Sequence, residues 1–275
     1  MWNRSADKAA QFLASLPADL ADRVTIASSI GEAIASPDAV VVSMVSNDAA
    51  LQAISAEIVP CLGPTGVHLC MSTVSPSISD HMQAMHAERG SAYVSCPVFG
   101  RPPAAAARKL IAVAAGERNA FERVRPLLDL TAQKVVFAGE KAGSSNTLKL
   151  CGNYMILAVI QAEAEAFGLA EAKGIDRSVA YDLLVGPEGV FSSLPIMASY
   201  GAMVAGRNYP LGFTARNGLK DCNLVLEAAN EGGVDMPIAG IVKDRMATVV
   251  ASLKEGEEKD WAAFADLVTV EKKSK

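Results

Sequence analysis

Long apolar runs are missing from this 275-residue chain, although 51% of its residues are hydrophobic. A bilayer-spanning helix needs roughly 18–20 consecutive apolar residues, and the richest stretch, Tyr154–Ile160, is far shorter. Blocks of positive charge are missing as well. Lysine and arginine number 25 against 30 acidic residues, and the net charge of −5 argues against nucleic acid and anionic membrane as partners. Cys61, Cys70, Cys96, Cys151 and Cys222 are scattered and odd in number, with no C-x-x-C pair, which excludes a disulfide framework and a zinc site. The three histidines, His68, His81 and His86, form no i, i+4 pair and no H-E-x-x-H pattern, so no metal site is expected. A G-x-S-x-G elbow is absent, which disfavours a serine hydrolase. No apolar segment of signal-peptide type follows Arg4. The expectation is a soluble, cytoplasmic protein of a reducing compartment.

What is present divides the chain in two. The first half carries short apolar runs at Ala39–Val45, Gly66–Met71, Ala92–Val98, Leu110–Ala115 and Lys134–Ala138. Helical patterns separate them at Asp48–Val59, Ser77–Arg89 and Asn119–Leu128. Near-continuous apolar strands alternating with helices predict an α/β fold with a parallel sheet covered on both faces. Beyond Gly143 the strand pattern stops. Ser144–Lys173 reads as one long helix, capped by Ser144 or Ser145 and ended by Gly174. Helices follow at Ser178–Leu184, Ser192–Ala205, Ala215–Glu231, Pro237–Leu253 and Asp260–Val268. The expected domains are therefore residues 1–142, α/β, and residues 143–275, all-helical.

The long helix concentrates the chemistry. Met155–Ile160 is apolar on every side, which predicts burial all round. Just before it, Asn146, Lys149 and Asn153 are spaced i, i+3 and i+7 and share a face. A lysine there can snorkel from a helix end. Equally, it can hold and protonate a substrate oxygen while an asparagine orients either group.

The segment Gly139–Asn153 resembles an element of the β-hydroxyacid dehydrogenase family in which glycines precede a lysine and, four residues on, an asparagine. That family includes 3-hydroxyisobutyrate and 6-phosphogluconate dehydrogenases and the related imine reductases. Four further segments resemble family elements in order: Trp2-Asn3-Arg4-Ser5, Ser43-Met44-Val45-Ser46, Ser72-Thr73-Val74-Ser75-Pro76 and Gly218-Leu219-Lys220-Asp221. The resemblance implies hydride transfer between NAD(P) and a small substrate, in a cleft between a Rossmann-like domain and a helical one that pairs into a homodimer. It makes Lys149 the general acid/base and Asn153 its partner. Asn3, Arg4, Ser5, Val45, Ser46, Thr73 and Lys220 become cofactor residues, and Ser72, Phe99, Gly100 and Arg101 substrate residues. An arginine after the second strand can grip a 2′-phosphate, so Arg4 favours NADP(H) over NAD(H), although Asp7 lies close by.

Two departures from the family pattern stand out. The substrate turn reads Pro97-Val98-Phe99-Gly100-Arg101-Pro102-Pro103 in place of P-V-S-G-G, which removes part of a backbone nest for a carboxylate. No G-x-G-x-x-G occurs anywhere, so a Rossmann-like sheet lacking its first strand and glycine turn is expected. That loss would leave Val24–Ala27 without a neighbour and expose an edge of the Ala39–Val45 strand. Two other readings stay open: a catalytically silent dehydrogenase-like assembly module, and an imine-reductase-like enzyme.

Overall fold

The structure, a computed structural model, describes residues 1–268. The chain divides into two compact units, one of Met1–Gly100 with Ala104–Asn146, the other of Arg101–Pro103 with the chain from Thr147 onward.

In the first unit, helices α1 (Ala6–Ser15), α2 (Ala18–Ala21) and α3 (Ile30–Ala33) precede the sheet. Then come β1 (Val40–Ser43), α4 (Asp48–Ile58), β2 (Val67–Cys70), α5 (Pro76–Glu88), β3 (Ala92–Ser95) and β4 (Val98–Phe99). After α6 (Pro102–Ala106) follow β5 (Leu110–Gly116), α7 (Arg118–Thr131) and β6 (Ala132–Phe137). The helix starts obey local chemistry. Asn47 caps α4 by accepting from Ala50 N–H at 2.9 Å, and Ser75 caps α5 by accepting from Ile78 N–H at 3.1 Å, with Pro76 in the first turn.

The strand order is β1-β2-β3-β5-β4, with β6 on β5. Strands β1, β2 and β3 are parallel, as are β5 and β6, but β5 runs antiparallel to β3 and to β4. An apolar run does not encode its direction, and the short β4–α6–β5 connection returns the chain as a hairpin does. At that return Gly100 has φ +133°, and a Cβ there would stand 2.7 Å from Leu110 Cδ2, so glycine is required. Alternation along the strands sorts the two faces. Val67, Leu69 and Val94 pack with Phe121, Val124 and Leu128 of α7, whereas Cys70 and Tyr93 pack with Leu51 of α4 and Met82 of α5. Residues 24–27 form no strand. Their backbone meets Met1 through Met1 N to Thr25 O at 2.5 Å and Ala27 N to Met1 O at 2.8 Å.

The second unit is helical. Helix α8 (Gly143–Ala172) leads into α9 (Arg177–Leu184), α10 (Pro195–Gly206), α11 (Ala215–Gly232), α12 (Pro237–Ala251) and a 3-10 segment over Trp261–Leu267. Its core joins Leu157, Ile160, Ala164 and Phe167 of α8 to Tyr200, Val204, Val242, Met246, Trp261 and Phe264. Each of the large apolar side chains contributes roughly 1.5–3 kcal/mol on burial. The burial expected all round Met155–Ile160 is not seen: Met155 is 66% exposed. No helix among the described residues is long and apolar enough to cross a membrane.

Each unit buries titratable groups. In the first, burial pushes His68 from 6.5 down to about 3, with His86 acting the same way, and burial pushes His86 down to about 4. In the second, Glu163 has neither carboxyl oxygen hydrogen-bonded among the described residues, and burial raises it from 4.5 to about 8. The signs oppose. The unfolded chain binds protons that the folded histidines refuse, so stability is lost as pH falls from 6.5 toward 4. For Glu163 the folded state holds the proton more tightly, so stability is lost as pH rises from 4.5 through 8. At about 1.4 kcal/mol per pKa unit, each loss amounts to a few kcal/mol. Urea midpoints measured across pH check this: Glu163→Gln is expected to flatten the alkaline side and His86→Gln the acid side.

Candidate active site

Helix α8 does not begin as expected. Its first N–H, at Gly143, is capped by Asp80 of α5 at 2.8 Å, and Gln83 Oε1 accepts from Ala142 N–H at 2.8 Å. Ser145 turns back to Ala142 O instead of capping. A cap supplied from a distant helix leaves no local signal in the sequence. At the other end Gly174 has φ +80° and terminates the helix as expected.

Beyond its first turn α8 belongs to the second unit and presents Lys149 and Asn153, both buried. Helix α11, capped by Thr214, presents Lys220 and Asp221. A Cβ on Gly218 would lie 2.9 Å from Trp261 Cβ and 3.1 Å from Met246 Cε, so glycine lets α11 sit close against its neighbours. Asn153 Nδ2 donates to Asp221 Oδ2 at 2.6 Å, and Lys220 Nζ lies 3.0 Å from Asp221 Oδ1.

This is an electrostatic device. Burial pushes Lys149 from 10.5 down to about 8; Asp221 opposes that shift and Lys220 adds to it. Asp221 is fully buried, and its carboxyl is raised by burial against the pull of Lys220, Lys149 and Asn153. An ammonium near 8 can give up and recover a proton close to neutrality, which suits it to general acid and base work.

In the first unit two turns follow the carboxyl ends of parallel strands, where open α/β sheets bind ligands. Val45 and Ser46 follow β1; Ser72 and Thr73 follow β2. Val45 N–H donates to Ser72 Oγ at 2.6 Å, which ties the turns together. Asn146, in the first turn of α8, accepts from Val74 N–H at 3.0 Å and donates to Ser79 Oγ at 3.0 Å and Ser95 Oγ at 2.9 Å. Asp48 accepts from Ser75 N–H at 3.0 Å.

The structure thus gathers Lys149, Asn153 and Lys220 in one unit, and Val45, Ser46, Ser72 and Thr73 in the other. Asn3, Arg4 and Ser5 form an exposed turn in which Asn3 Oδ1 accepts from Ser5 N–H at 2.9 Å. Phe99 closes β4 opposite Ile111, followed by Gly100. Arg101, expected as a substrate residue, already has partners. Its guanidinium donates to Tyr200 Oη at 3.1 Å and to Asp260 Oδ1 at 3.2 Å, and lies over the Tyr200 ring. Two residues escaped the sequence reading in function. Asp221 is visible in the sequence only as the end of the Gly218–Asp221 segment, with no role of its own. Asn146 was seen on the lysine face, yet its three partners lie far away in the chain.

Residues 1–139 match the family model described as the NAD binding domain of 6-phosphogluconate dehydrogenase. Residues 143–268 match that described as NAD-binding of NADP-dependent 3-hydroxyisobutyrate dehydrogenase. The chain is 32% identical to an uncharacterized oxidoreductase of Bacillus subtilis, over 74% of this chain and 69% of that protein. It is 29% identical to an NADH-dependent oxidoreductase of Aspergillus ustus, over 98% of this chain and 90% of that one. Among solved structures, the 3-hydroxyisobutyrate dehydrogenase of Mycobacterium tuberculosis with L-serine superimposes with a TM-score of 0.76 at 25% identity, covering 92% of this chain and 88% of that one.

The opposed charges around Lys149 give a test independent of substrate. Titration of Lys149, followed by NMR of isotope-labelled lysine, is expected to move down by roughly one unit in Asp221→Asn and up in Lys220→Met. Movement in the same direction in both variants overturns the charge assignment.

Proposed function

The chain belongs to the β-hydroxyacid dehydrogenase family of NAD(P)-dependent oxidoreductases, and on that premise we propose that it transfers hydride between NADP(H) and a small carbonyl or hydroxy substrate, with Lys149 as general acid and base. The observation that carries this reading is the burial of Lys149 beside Asp221, which holds its ammonium near 8.

The residues of the first unit fit the nicotinamide half of a dinucleotide, while a G-x-G-x-x-G turn to cradle the pyrophosphate is not among them. Ser46 and Thr73 follow the carboxyl ends of parallel strands, Val45 beside Ser46 is apolar, and Arg4 is exposed for a 2′-phosphate. When bound, the nicotinamide supplies or accepts the hydride. In reduction Lys149 Nζ gives its proton to the substrate oxygen; in oxidation the neutral amine takes the hydroxyl proton back. Asn153 holds the Asp221 carboxylate, whose charge keeps the ammonium form available. Lys220 neutralises the same carboxylate and raises the positive potential that a developing alkoxide meets. The presence of the lysine favours carbonyl over imine chemistry, because a developing alkoxide needs a proton donor. Arg4 and the NADP-dependent description of the second family model support NADP(H).

A homodimer through the helical unit is part of the same proposal. Leu148, Met155, Ala162 and Leu169 recur every seven residues along α8, and all four are exposed. Such a spacing lays an apolar stripe along one helix side, suited to a second copy.

Lys149→Ala is expected to lower kcat by roughly 10²–10⁴ with NADPH affinity unchanged within about twofold, measured by turnover against a panel of small carbonyl compounds and by calorimetry. Full activity in the variant overturns the assignment. Failure of the wild-type chain to bind either NADPH or NADH favours the silent assembly module instead. Sedimentation is expected to show a dimer that Met155→Glu shifts toward monomer.

A further inference from the structure

Four side chains that the proposed reaction does not use form one continuous buried chain in the first unit. Ser43 Oγ lies 2.7 Å from His68 Nε2, His68 Nδ1 lies 3.1 Å from His86 Nε2, and His86 Nδ1 lies 2.8 Å from Ser91 Oγ. Both histidines are fully buried, and Ser43 and Ser91 nearly so. Tyr93 closes the group, stacked on His86 at 5.7 Å and edge-on to His68 at 5.3 Å.

Proton counting gives the chain a direction. A neutral imidazole has one N–H donor and one acceptor nitrogen. Ser91 Oγ lies 2.8 Å from His86 Nδ1, and whichever of the two donates there fixes the rest. If His86 donates, its Nε2 accepts from His68 Nδ1–H and His68 Nε2 accepts the Ser43 hydroxyl proton; if Ser91 donates, each of those links reverses. All links point the same way in either case, so a break at one end removes the reason for the tautomers at the other.

The Ser43 end meets the cofactor turn. Ser43 is the last residue of β1, and its carbonyl accepts from Met71 N–H at 2.9 Å while its hydroxyl is drawn to His68. The backbone leaves this doubly held residue and reaches Val45 two positions later, where Ser72 Oγ fastens the turn.

We propose that the Ser43–His68–His86–Ser91 chain positions the Val45–Ser46 turn for the dinucleotide, which makes His68 and His86 positioning residues for cofactor binding. The proposal rests on the cofactor reading given above. It acts on affinity and not on the hydride step, since none of the four is assigned to Lys149 or its partners. Loss of one buried hydrogen bond corresponds to about 1 kcal/mol, or roughly fivefold in a dissociation constant.

The test is NADPH binding by calorimetry to the full chain carrying Ser43→Ala, Ser91→Ala or both, with thermal midpoints recorded alongside. The expected result is a Kd about fivefold higher in each single variant and no further rise in the double variant, because both cut one directed chain. Ser43→Thr, which keeps the hydroxyl, is expected to restore affinity. Unchanged Kd with lowered midpoints means that the chain serves folding alone and overturns the proposal. So do independent, multiplying effects in the double variant. If the wild-type chain binds neither NADPH nor NADH, the cofactor reading itself fails and the proposal falls with it, a result seen before any substitution is made.

Discussion

Everything distinctive about the helical unit follows from taking one ammonium group out of water. Lys149 is buried, and a lysine placed there unaided would hold its proton less tightly still. Asp221 prevents that, but a carboxylate as deeply buried carries a desolvation cost of its own, which Asn153 and Lys220 offset through a hydrogen bond and an ion pair. Gly218 lets α11, which carries that carboxylate, sit close against Trp261 and Met246. Packing, charge balance and proton affinity are thus one problem with one solution.

The first unit meets a different demand: two turns must keep their places although each follows a short strand of four residues. Regular backbone ends before the useful residues begin. Side chains take over from there, Ser72 holding Val45, Asn146 holding Val74 and Asp48 holding Ser75. The three fastening groups come from the second turn itself, from α8 and from α4, and they are serine, asparagine and aspartate, types whose short polar arms reach neighbouring backbone.

Much of this was legible in the sequence, and what was not has physical causes. Every helix of α4, α5 and α7–α12 falls within about three residues of its expected bounds at each end, because apolar periodicity and Gly or Pro punctuation are local. The last expected helix is a 3-10 segment instead, started by Asp260 accepting from Ala262 N–H. Strand direction was not legible, since β5 is as apolar as a parallel strand and still runs antiparallel to β3. The cap of α8 from Asp80 and the reach of Asn146 to Ser79 and Ser95 depend on residues more than fifty positions apart in the chain. Lys149 and Asn153 could be picked out by spacing, but the carboxylate that sets their chemistry comes from another helix. The partners of Arg101 were not legible either, because a cation beside a turn looks the same in sequence whether or not it is already paired.

That pairing of Arg101 has an evolutionary consequence. Asp260 accepts Gly212 and Phe213 N–H groups through one oxygen and Arg101 and Ala262 through the other, so a single carboxylate organises three stretches of chain. Drift at position 260 is therefore not free to explore new ligand chemistry gradually. A change there would release a cation beside Tyr200 and unfasten the 3-10 segment in the same step. New anion recognition at this turn is thus coupled to structural repair, a barrier that slows its appearance by ordinary single substitutions.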